Sequence, residues 1–571
     1  MKLFRTYLVY AFLQLVGNYA YSGDIPKQLD KKTVNRIATF TKVWGLMKYY
    51  HPGVATGTMD WDSLFVVTVP EVAKAKNQQE FHKLLDNLYG QVHAPKLATA
   101  YNLPQSDTVV SIFSVQEISN YNASIPLKRQ LKELYERHLP IENRYTSNKY
   151  KEYTLDHVRF LENPMPDKAY PDWETRLLAL ARYWNAINFF YPHKLTIGKD
   201  WETTLAKYIP VFSNVENELA YHLAMQRLNK ELRDSHTYVS SPVLDRIWGP
   251  NPYFKVSYVQ NQFVITEMLS DSIAKSQDVQ VGDVITAIDG KPVKERVREL
   301  EPLMVGSNEA ATYRDIANYL LNVNTDNQVT IEIRRGKNSL VRQISRYPYQ
   351  ELVILSDKPT QTLWNELKKD ILYVDFTSIK KTDTLQALFK AMQSAKAVVF
   401  DLRGYPNFQV YQQTLPALYG HNFHVSTSSE ALVQFPGFFA VSKSVFEHTD
   451  TSTLIPYQGK MIVLVDERTQ SLPESFAMGL AQRPNTLIMG SQTAGTTGNI
   501  TWLPLPGGAN AAFTAVGERG AGGTFVQRKG VRIGKVVRPT VASVVAGKDA
   551  VIYEALAEAE KAAAFSVNSD N

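Results

Sequence analysis

The sequence predicts a multidomain α/β protein in which a helical N-terminal region, a small β module and a layered α/β core follow one another. Its 571 residues are about four times the ~150 residues typical of one domain. An aromatic, helix-period pattern occurs twice before residue 245, and short alternating strands begin near residue 252. From residue 371 onward, apolar strands alternate with amphipathic helices, which is typical of a layered α/β core.

Composition excludes several classes of protein. With 44% hydrophobic and 21% charged residues the chain is globular rather than disordered, collagenous or polytopic in a membrane. The net charge of +6 is dilute over this length, so we expect no nucleic-acid partner. The absence of cysteine excludes disulfide scaffolds, thiolate zinc sites, iron–sulfur clusters and cysteine nucleophiles. A hydrolase built on this chain must use serine, threonine, carboxylates, or a metal held by His and acids.

The first 22 residues have the layout of a secretory signal peptide. Lys2 and Arg5 precede an apolar run over residues 7–16, and small residues near Ser22 suit cleavage. The alternative is a short buried helix. The run is too short to span a bilayer, and no later segment reaches ~18 apolar residues. We therefore expect an exported, periplasmic or extracellular protein with no integral membrane segment after signal removal.

An internal repeat relates residues 44–61 to residues 184–201 at a constant offset. The matched pairs are Trp44 and Trp184, Tyr49 and Phe189, Pro52 and Pro192, Asp60 and Asp200, Trp61 and Trp201, and Pro70 and Pro210. In each copy we expect a helix that ends at a proline, followed by a second apolar-periodic stretch. The aromatic residues are expected to form core. His93 and His236 follow the last helix of their copies, at a turn where a core role explains a histidine less well.

The segment from Pro252 to Tyr347 reads as short strands, FKVSYV, QFVITEM and VTIEIRR, separated by turns. A Gly-Asp turn, a β-branched strand and an Asp-Gly turn ending in Pro-Val occupy residues 281–293. A generic hairpin also contains an Asp-Gly turn. The full pattern resembles the PDZ domain, which adds an extended peptide to a sheet edge. The resemblance implies peptide-binding residues at Val281, Gly282, Asp283 and Val284.

Four buried strands are predicted in the C-terminal core. They cover residues 371–376, 397–402, 461–466 and 486–490, and a helix with Asp383 as N-cap follows the first. Ser471 comes after the third strand, where a helix extending to about Gln482 begins. Backbone amides at a helix N-terminus can stabilise an oxyanion, so Ser471 is a candidate nucleophile.

A structural explanation of Ser471 is also available. Ser-x-x-Glu is a capping box, so Ser471 and Glu474 could simply cap the helix. The motifs GxSxG, HExxH and Walker A are absent from the chain. His421 and His424 lack carboxylate partners for a metal and are expected on a surface loop. The sequence therefore predicts no metal and no cofactor.

The order of the parts resembles the C-terminal-processing (tail-specific) serine peptidase family. The resemblance rests on a helical region ending DSHTYV, the PDZ-like module, a strand ending FDLRG, and the motifs VDERTQSLPE and GSQTAGTTGN. It covers the chain from about residue 176. It implies a crotonase-like or ClpP-like α/β peptidase core and polypeptide substrates.

Carried over onto this chain, the family's nucleophile matches Ser471. The resemblance implies one oxyanion donor at Leu472 and a second in the turn from Gly404 to Asn407. Relatives usually carry paired glycines where this chain has Asn407-Phe408, which makes the second donor a departure from the pattern.

The general base follows from a missing lysine. The bacterial Ser–Lys branch of the family places a lysine in the glycine loop about 25 residues after the nucleophile, where this chain has Thr496. The remaining branch resembles the tricorn protease core and uses a histidine of the helical domain, which matches His236. Ser235 would then help to orient the ring.

The sequence leaves the acidic partner of that histidine open. The position of the branch's usual Glu falls on Gln527, a neutral amide. An amide stabilises an imidazolium less than a carboxylate does. Asp234 and Glu474 are the other candidates.

The leading functional prediction is an exported serine endopeptidase. It would hydrolyse peptide bonds in unfolded or C-terminal segments through an acyl-enzyme on Ser471, with His236 as base. The alternative is a catalytically weak or inactive homologue that binds peptides. A glycoside hydrolase would need a carboxylate pair, and none stands out from the charged surface.

The expected domain boundaries follow from these patterns. They are a signal peptide over residues 1–22, a helical pre-domain with repeat copy 1 over 23–150, a helical domain with copy 2 over 151–245, the PDZ-like module over 246–347, the peptidase core over 348–562, and a polar tail over 563–571.

Overall fold

A computed structural model describes residues 29–568, apart from 58, 94, 151–152, 198–199, 323, 356–361 and 448–453. The predicted signal peptide lies outside the described residues. No helix within the described ranges is long and apolar enough to cross a membrane.

The N-terminal region is mainly helical. Its helices are α1 (Lys31–Tyr50), α2 (Pro52–Ala55), α3 (Trp61–Lys74), α4 (Gln78–Gly90), α5 (Val115–Ser119), α6 (Ile125–Glu136), α7 (Trp173–Phe190), α8 (Trp201–Asn214), α9 (Glu218–Lys230) and α10 (Pro242–Asp245). Its strands are β1 (Val109–Ser111), β2 (Thr146–Tyr150), β3 (Tyr153–Phe160) and β4 (Tyr238–Ser240).

The two copies of the repeat fold alike. The Trp44 indole donates to the Trp61 carbonyl at 3.0 Å and the Trp61 indole to the Trp44 carbonyl at 3.1 Å. Their equivalents in the second copy exchange the same two bonds at 2.9 and 3.1 Å. Equivalent positions also meet between copies, because a Cβ on Gly45 would lie 2.0 Å from the Asn185 side chain. Both copies share one hydrophobic core.

The β module is a sheet wrapped by short helices. Its strands are β5 (Asn251–Pro252), β6 (Phe254–Val259), β7 (Gln262–Met268), β8 (Val284–Ile288), β9 (Lys291–Pro292), β10 (Gln328–Arg335) and β11 (Asn338–Tyr347). Its helices are α11 (Asp271–Ser276), α12 (Val293–Leu300), α13 (Glu309–Tyr319) and α14 (Tyr349–Leu355). The sheet order is β5-β11-β10-β8-β7-β6, so β6 is an edge strand. Helix α13 packs against β6, where the Tyr258 and Tyr313 rings stack at 4.0 Å.

The core contains a six-stranded, mostly parallel sheet. Its strands, in sheet order, are β12 (Trp364–Lys368), β13 (Ile371–Asp375), β14 (Ala397–Asp401), β17 (Lys460–Val465), β18 (Thr486–Gly490) and β22 (Lys535–Val536). Its helices are α15 (Thr384–Gln393), α16 (Phe408–Tyr419), α17 (Leu472–Leu480), α18 (Val541–Val545) and α19 (Ala550–Asn568).

Both faces of this sheet are covered. On β14, Val398 and Phe400 pack with α15, α16 and α17, whereas Ala397 and Val399 pack with α19. This alternation follows from the two-residue period of a strand, and burial of both faces is typical of parallel sheets. The predicted multidomain α/β fold is confirmed.

Two further sheets join the helical region to the peptidase core. The first has the order β1-β16-β15-β21, with β15 (Phe423–Ala431), β16 (Phe438–Phe446) and β21 (Val516–Gly520). The second has the order β19-β20-β4, with β19 (Ile500–Leu505) and β20 (Ala509–Thr514). Strands β4 and β20 are antiparallel, with Tyr238 opposite Ala512. His236 lies two residues before β4, in the turn that leads into this strand.

Candidate active site

Three loops meet at the carboxyl edge of the parallel sheet. They follow β14, β17 and β18 and contain, respectively, the Gly404 turn, Ser471 and the glycine loop of residues 491–499. The Thr469 hydroxyl donates to the Leu402 carbonyl at 3.1 Å, and the Ala494 N–H donates to the Thr469 carbonyl at 3.0 Å. In α/β sheets this edge is where ligands bind, so the predicted segments lie where a site is expected.

Ser471 has a strained backbone. Its φ is +69° and its ψ is −121°, a region that residues other than glycine rarely adopt. Such a conformation costs about 1–3 kcal/mol, and it is held here by an N–H bond to the Thr496 carbonyl at 2.9 Å. A strained serine on a sharp strand-to-helix turn is the geometry that presents a nucleophilic hydroxyl in hydrolases.

The Glu474 carboxylate ties the serine to the glycine loop. It is fully buried and accepts bonds from the Thr493 hydroxyl at 2.5 Å and from the N–H groups of Gly495 at 2.8 Å and Thr496 at 2.9 Å. The Ser471 N–H adds a fourth at 3.3 Å, so the capping-box role of Glu474 is also present. Burial raises the pKa of Glu474 to about 7, although these bonds lower it.

The predicted oxyanion donors are the backbone amides of Leu472 and Gly404, which belong to two of the loops at this edge. The N–H groups of Leu472 and Gly404 donate no hydrogen bond within the part of the chain that the structure describes. A Cβ on Gly404 would lie 2.7 Å from the Thr377 hydroxyl, so the turn needs glycine there. The Asn407 side chain instead caps α16, because its Oδ1 accepts from the Val410 N–H at 3.1 Å.

His236 lies in the turn between α9 and β4. It is 8% exposed, and burial lowers the pKa of its ring. Its Nδ1 is 3.1 Å from the Thr514 hydroxyl, and its Nε2 makes no hydrogen bond to any residue in the described ranges. No direct bond joins the ring to Ser471 among these residues. Both belong to one network, because the Thr496 carbonyl accepts from Ser471 and its hydroxyl donates to Asp234 at 2.7 Å.

Asp234 is the carboxylate beside His236. Its Oδ1 accepts from the His236 backbone N–H at 3.0 Å, and its Oδ2 from the Tyr191 hydroxyl at 3.2 Å. Burial raises the pKa of Asp234, but the His236 charge and the hydroxyls of Thr496 and Thr514 lower it more, so the net pKa lies below its ordinary value. Of the two other candidate acids, Asp234 bonds to the backbone of His236, whereas Glu474 bonds to the glycine loop.

Gln527 is buried without a polar partner. Neither the oxygen nor the nitrogen of its amide makes a hydrogen bond to a described residue. The predicted contact between Gln527 and the His236 ring is therefore not among the hydrogen bonds of the site.

Ser235 connects the histidine turn to the β module and to the glycine loop. Its hydroxyl accepts from the Ser307 N–H at 2.8 Å and donates to the Ala494 carbonyl at 3.3 Å, while its own N–H donates to the Ser307 hydroxyl at 2.7 Å. Asn308, the next residue, donates to the Thr493 carbonyl at 2.8 Å. These bonds fix the backbone that precedes His236 rather than its ring.

The four residues predicted to bind peptide in the β module lie away from its free edge. Val284 begins β8, which is paired on both sides with β7 and β10. Asp283 pairs with Arg335 at 2.8 Å. A Cβ on Gly282 would lie 2.4 Å from the Val545 side chain of α18. Together with its neighbour Val281, this segment faces the C-terminal part of the chain.

Thr514 and Tyr191 are functional candidates that sequence reasoning missed. They come from β20 and from the end of α7, far from His236 in sequence, and only strand pairing and helix packing bring them to it. His93, the counterpart of His236 in the first copy, is exposed and lies outside the site.

Comparisons with known proteins agree with this architecture. Residues 253–349 match the PDZ domain model, and residues 370–533 match the model of Peptidase family S41. None of the curated proteins matches the chain by sequence.

Several solved structures are similar. Mature CPAF complexed with lactacystin is 13% identical with a TM-score of 0.52, over 66% of this chain and 95% of that one. The photosystem II D1 C-terminal processing protease is 18% identical with a TM-score of 0.40, over 66% and 98% of the two chains. The tricorn protease is 14% identical with a TM-score of 0.37, over 72% and 38%. The likeness to CPAF shows a shared fold.

The two family models fall on the β module and on the core that carries Ser471. The sequence-based resemblance is thereby confirmed at the level of the family. These matches support a serine-type peptidase whose core resembles Peptidase family S41 and is preceded by a PDZ domain.

Proposed function

We propose that this protein is an exported serine endopeptidase that cleaves unfolded or C-terminal segments of polypeptides through an acyl-enzyme on Ser471. The observation that carries the proposal is the strained Ser471 backbone at the start of α17, beside an unpaired Leu472 amide. A buried histidine is tied to the same glycine loop through Asp234 and Thr496.

His236 is the proposed general base. Its unbonded Nε2 takes the Ser471 proton as the Ser471 oxygen attacks the peptide carbonyl. The amides of Leu472 and Gly404 then hold the oxyanion. The imidazolium gives its proton to the leaving amine, and water activated by the same ring hydrolyses the ester on Ser471. This assigns the chain to the Ser–His branch, which agrees with Thr496 in place of the lysine.

The PDZ domain is proposed to deliver chain ends to this site. Strand β6 has a neighbour on one side only among the described strands, and α13 lies beside it, so an extended peptide can pair with its free edge. Ser307 and Asn308 come just before α13 in the chain. Their hydrogen bonds to Ser235 and Thr493 connect the β6–α13 side of the PDZ domain to the candidate active site.

Export is proposed from the sequence alone. The layout of Lys2, Arg5 and the apolar run over residues 7–16 is that of a signal peptide, although this segment lies outside the described residues. The processed protein would then act in the periplasm or outside the cell.

Cleavage and probe labelling test the peptidase proposal together. The purified protein is incubated with a fluorophosphonate and with an unstructured peptide, alongside Ser471→Ala and His236→Ala. We expect labelling and cleavage by the wild type, neither by Ser471→Ala, and loss of cleavage by a folded His236→Ala. A fully active His236→Ala variant would contradict the choice of base.

A peptide-binding homologue is the second candidate. The observation in its favour is Gln527, a buried amide without a partner where the related branch carries an acid. Peptide binding by a wild type that neither labels nor cleaves would support this second function over the first.

A further inference from the structure

We propose that Thr514 and Asp234 together orient and stabilise His236, Thr514 through the ring Nδ1 and Asp234 through the backbone N–H and its negative charge. Both act as positioning residues, since neither reaches the reacting atoms. The inference rests on the proposed function, because it concerns the base of that reaction.

Strand pairing places Thr514. In the antiparallel register of β4 and β20, Ser240 faces Asn510 and Tyr238 faces Ala512. The pairing ends at Tyr238 and Ala512, and His236 lies in the turn just before β4, where its Nδ1 is 3.1 Å from the Thr514 Oγ1. Strand β20 therefore fixes the backbone of Thr514 beside the turn that carries the ring.

The proposed role of Thr514 requires the ring proton on Nδ1. When Nδ1 carries the proton, it donates to the Thr514 oxygen, and Nε2 is left unprotonated to accept from Ser471. When Nε2 carries the proton, the ring cannot act as the base. A threonine at this position would hold the ring tautomer, which is one of the two roles of the carboxylate in the Ser-His-Asp triad.

Asp234 supplies the negative charge that stabilises the His236 imidazolium. It is fully buried, and its two oxygens receive the Thr496 hydroxyl, the Tyr191 hydroxyl and the His236 backbone N–H. The Thr514 hydroxyl also acts on this carboxylate and lowers its pKa. The Thr514 hydroxyl therefore lies against the ring Nδ1, while the carboxylate holds the backbone N–H of the same histidine.

The titratable groups near the ring are Asp234 on its own turn and Tyr191 and His193 after α7. Arg519 on β21 and Arg528 in the following loop act on His193. The charge of Asp234 favours the imidazolium of His236. The Thr514 hydroxyl can accept from the Nδ1 proton of that imidazolium, so removing the hydroxyl should make the imidazolium harder to form.

The test compares Thr514→Val, which removes the hydroxyl, with Thr514→Ser, which keeps it. Thr501→Val is the matched control, because Thr501 is a buried threonine on the adjacent β19 whose hydroxyl donates to the Val158 carbonyl at 2.7 Å. For each protein we would measure kcat/KM for a fluorogenic peptide from pH 5 to 9, with thermal melting as the folding check.

We expect Thr514→Val to lose about 10- to 100-fold in kcat/KM, as when a hydrogen bond to a charged group is removed. Its acid limb should also move to lower pH. Thr514→Ser and Thr501→Val should stay within about threefold of wild type. Equal kcat/KM for Thr514→Val and Thr501→Val, an unmoved acid limb, or a Thr514→Ser variant as poor as Thr514→Val would overturn the inference.

A measurement on the wild type covers the case in which Thr514→Val does not fold. Nitrogen NMR of the histidine-labelled protein, with the His236 signal assigned by its loss in His236→Gln, should show the proton on Nδ1 in the neutral ring. A proton on Nε2 would overturn the inference while leaving Ser471-dependent cleavage in place. A wild type that shows no Ser471-dependent cleavage would overturn the proposed function and this inference with it.

Discussion

Replacing Ser471 with glycine should stabilise the protein while abolishing its activity. The side chain at this position is carried at φ +69° and ψ −121°, where an L residue is strained and glycine is not. Ser471→Ala is the matched control, because it also lacks the hydroxyl but keeps the Cβ that causes the strain. The comparison between the two variants therefore separates the backbone effect from the loss of the nucleophile.

The size of the effect follows from two opposing contributions. Relief of the strain is worth about 1–3 kcal/mol. The greater freedom of glycine in the unfolded chain takes back about 0.4–1 kcal/mol. The net gain is on the order of 1 kcal/mol, which for a domain of about 200 residues raises Tm by roughly 2–4 °C.

Differential scanning calorimetry of the two variants provides the assay, with fluorophosphonate labelling to confirm that both are inactive. We expect the melting transition of Ser471→Gly to lie above that of Ser471→Ala. An equal or lower transition for the glycine variant would refute the argument that Ser471 is held in a strained conformation by the bonds around Thr496 and Glu474.

Three further predictions concern titration and packing. Because burial lowers the pKa of His236, the acid limb of the kcat/KM profile should have its midpoint below pH 6.5. Peptide cleavage measured across pH gives this profile, and a midpoint above pH 6.5 would contradict the prediction. Burial raises the pKa of Glu474 to about 7. Between about pH 4.5 and 7 the folded state therefore keeps a proton on Glu474 that the unfolded chain has released. The contribution of this group to the free energy of unfolding falls as pH rises through that window. Urea unfolding of Glu474→Gln should show a shallower decrease over that window, and an unchanged slope would argue against it. Gly282→Ala should expose the segment around Val545 to proteolysis, because the new Cβ would lie 2.4 Å from the Val545 side chain. Gly290→Ala is the control, since Gly290 also has a positive φ but a Cβ there would meet no atom. Equal digestion of the two variants would contradict the packing of Gly282 against Val545.

The parallel core was predictable from sequence because its strands are continuous apolar runs. The strand predicted over residues 461–466 is observed as Lys460–Val465, and the strand predicted over residues 486–490 is observed at those positions. Strands buried on both faces carry this signal without any partner information. The helix after Ser471 was likewise predictable, because Pro473 and Glu474 are local start signals.

The environment of the base was not predictable in the same way. Thr514 on β20 contacts His236 in the turn before β4 although the two residues are 278 positions apart, and the strand ANAAFT has no alternating pattern that would indicate this contact. The positive φ of Ser471 has no local sequence signal either, since bonds from the distant glycine loop impose it. In the PDZ domain, the Gly-Asp turn precedes a central strand, so the turn motif alone did not locate the free edge.

Mass-spectrometric mapping of a fluorophosphonate adduct tests the assignment of the nucleophile most directly. The purified protein would be labelled, digested and searched for the modified peptide, with His236→Ala labelled in parallel. We predict a single adduct on Ser471 that forms far more slowly in His236→Ala. An adduct on another residue, or equal labelling rates for the two proteins, would contradict a serine at the start of α17 activated by His236.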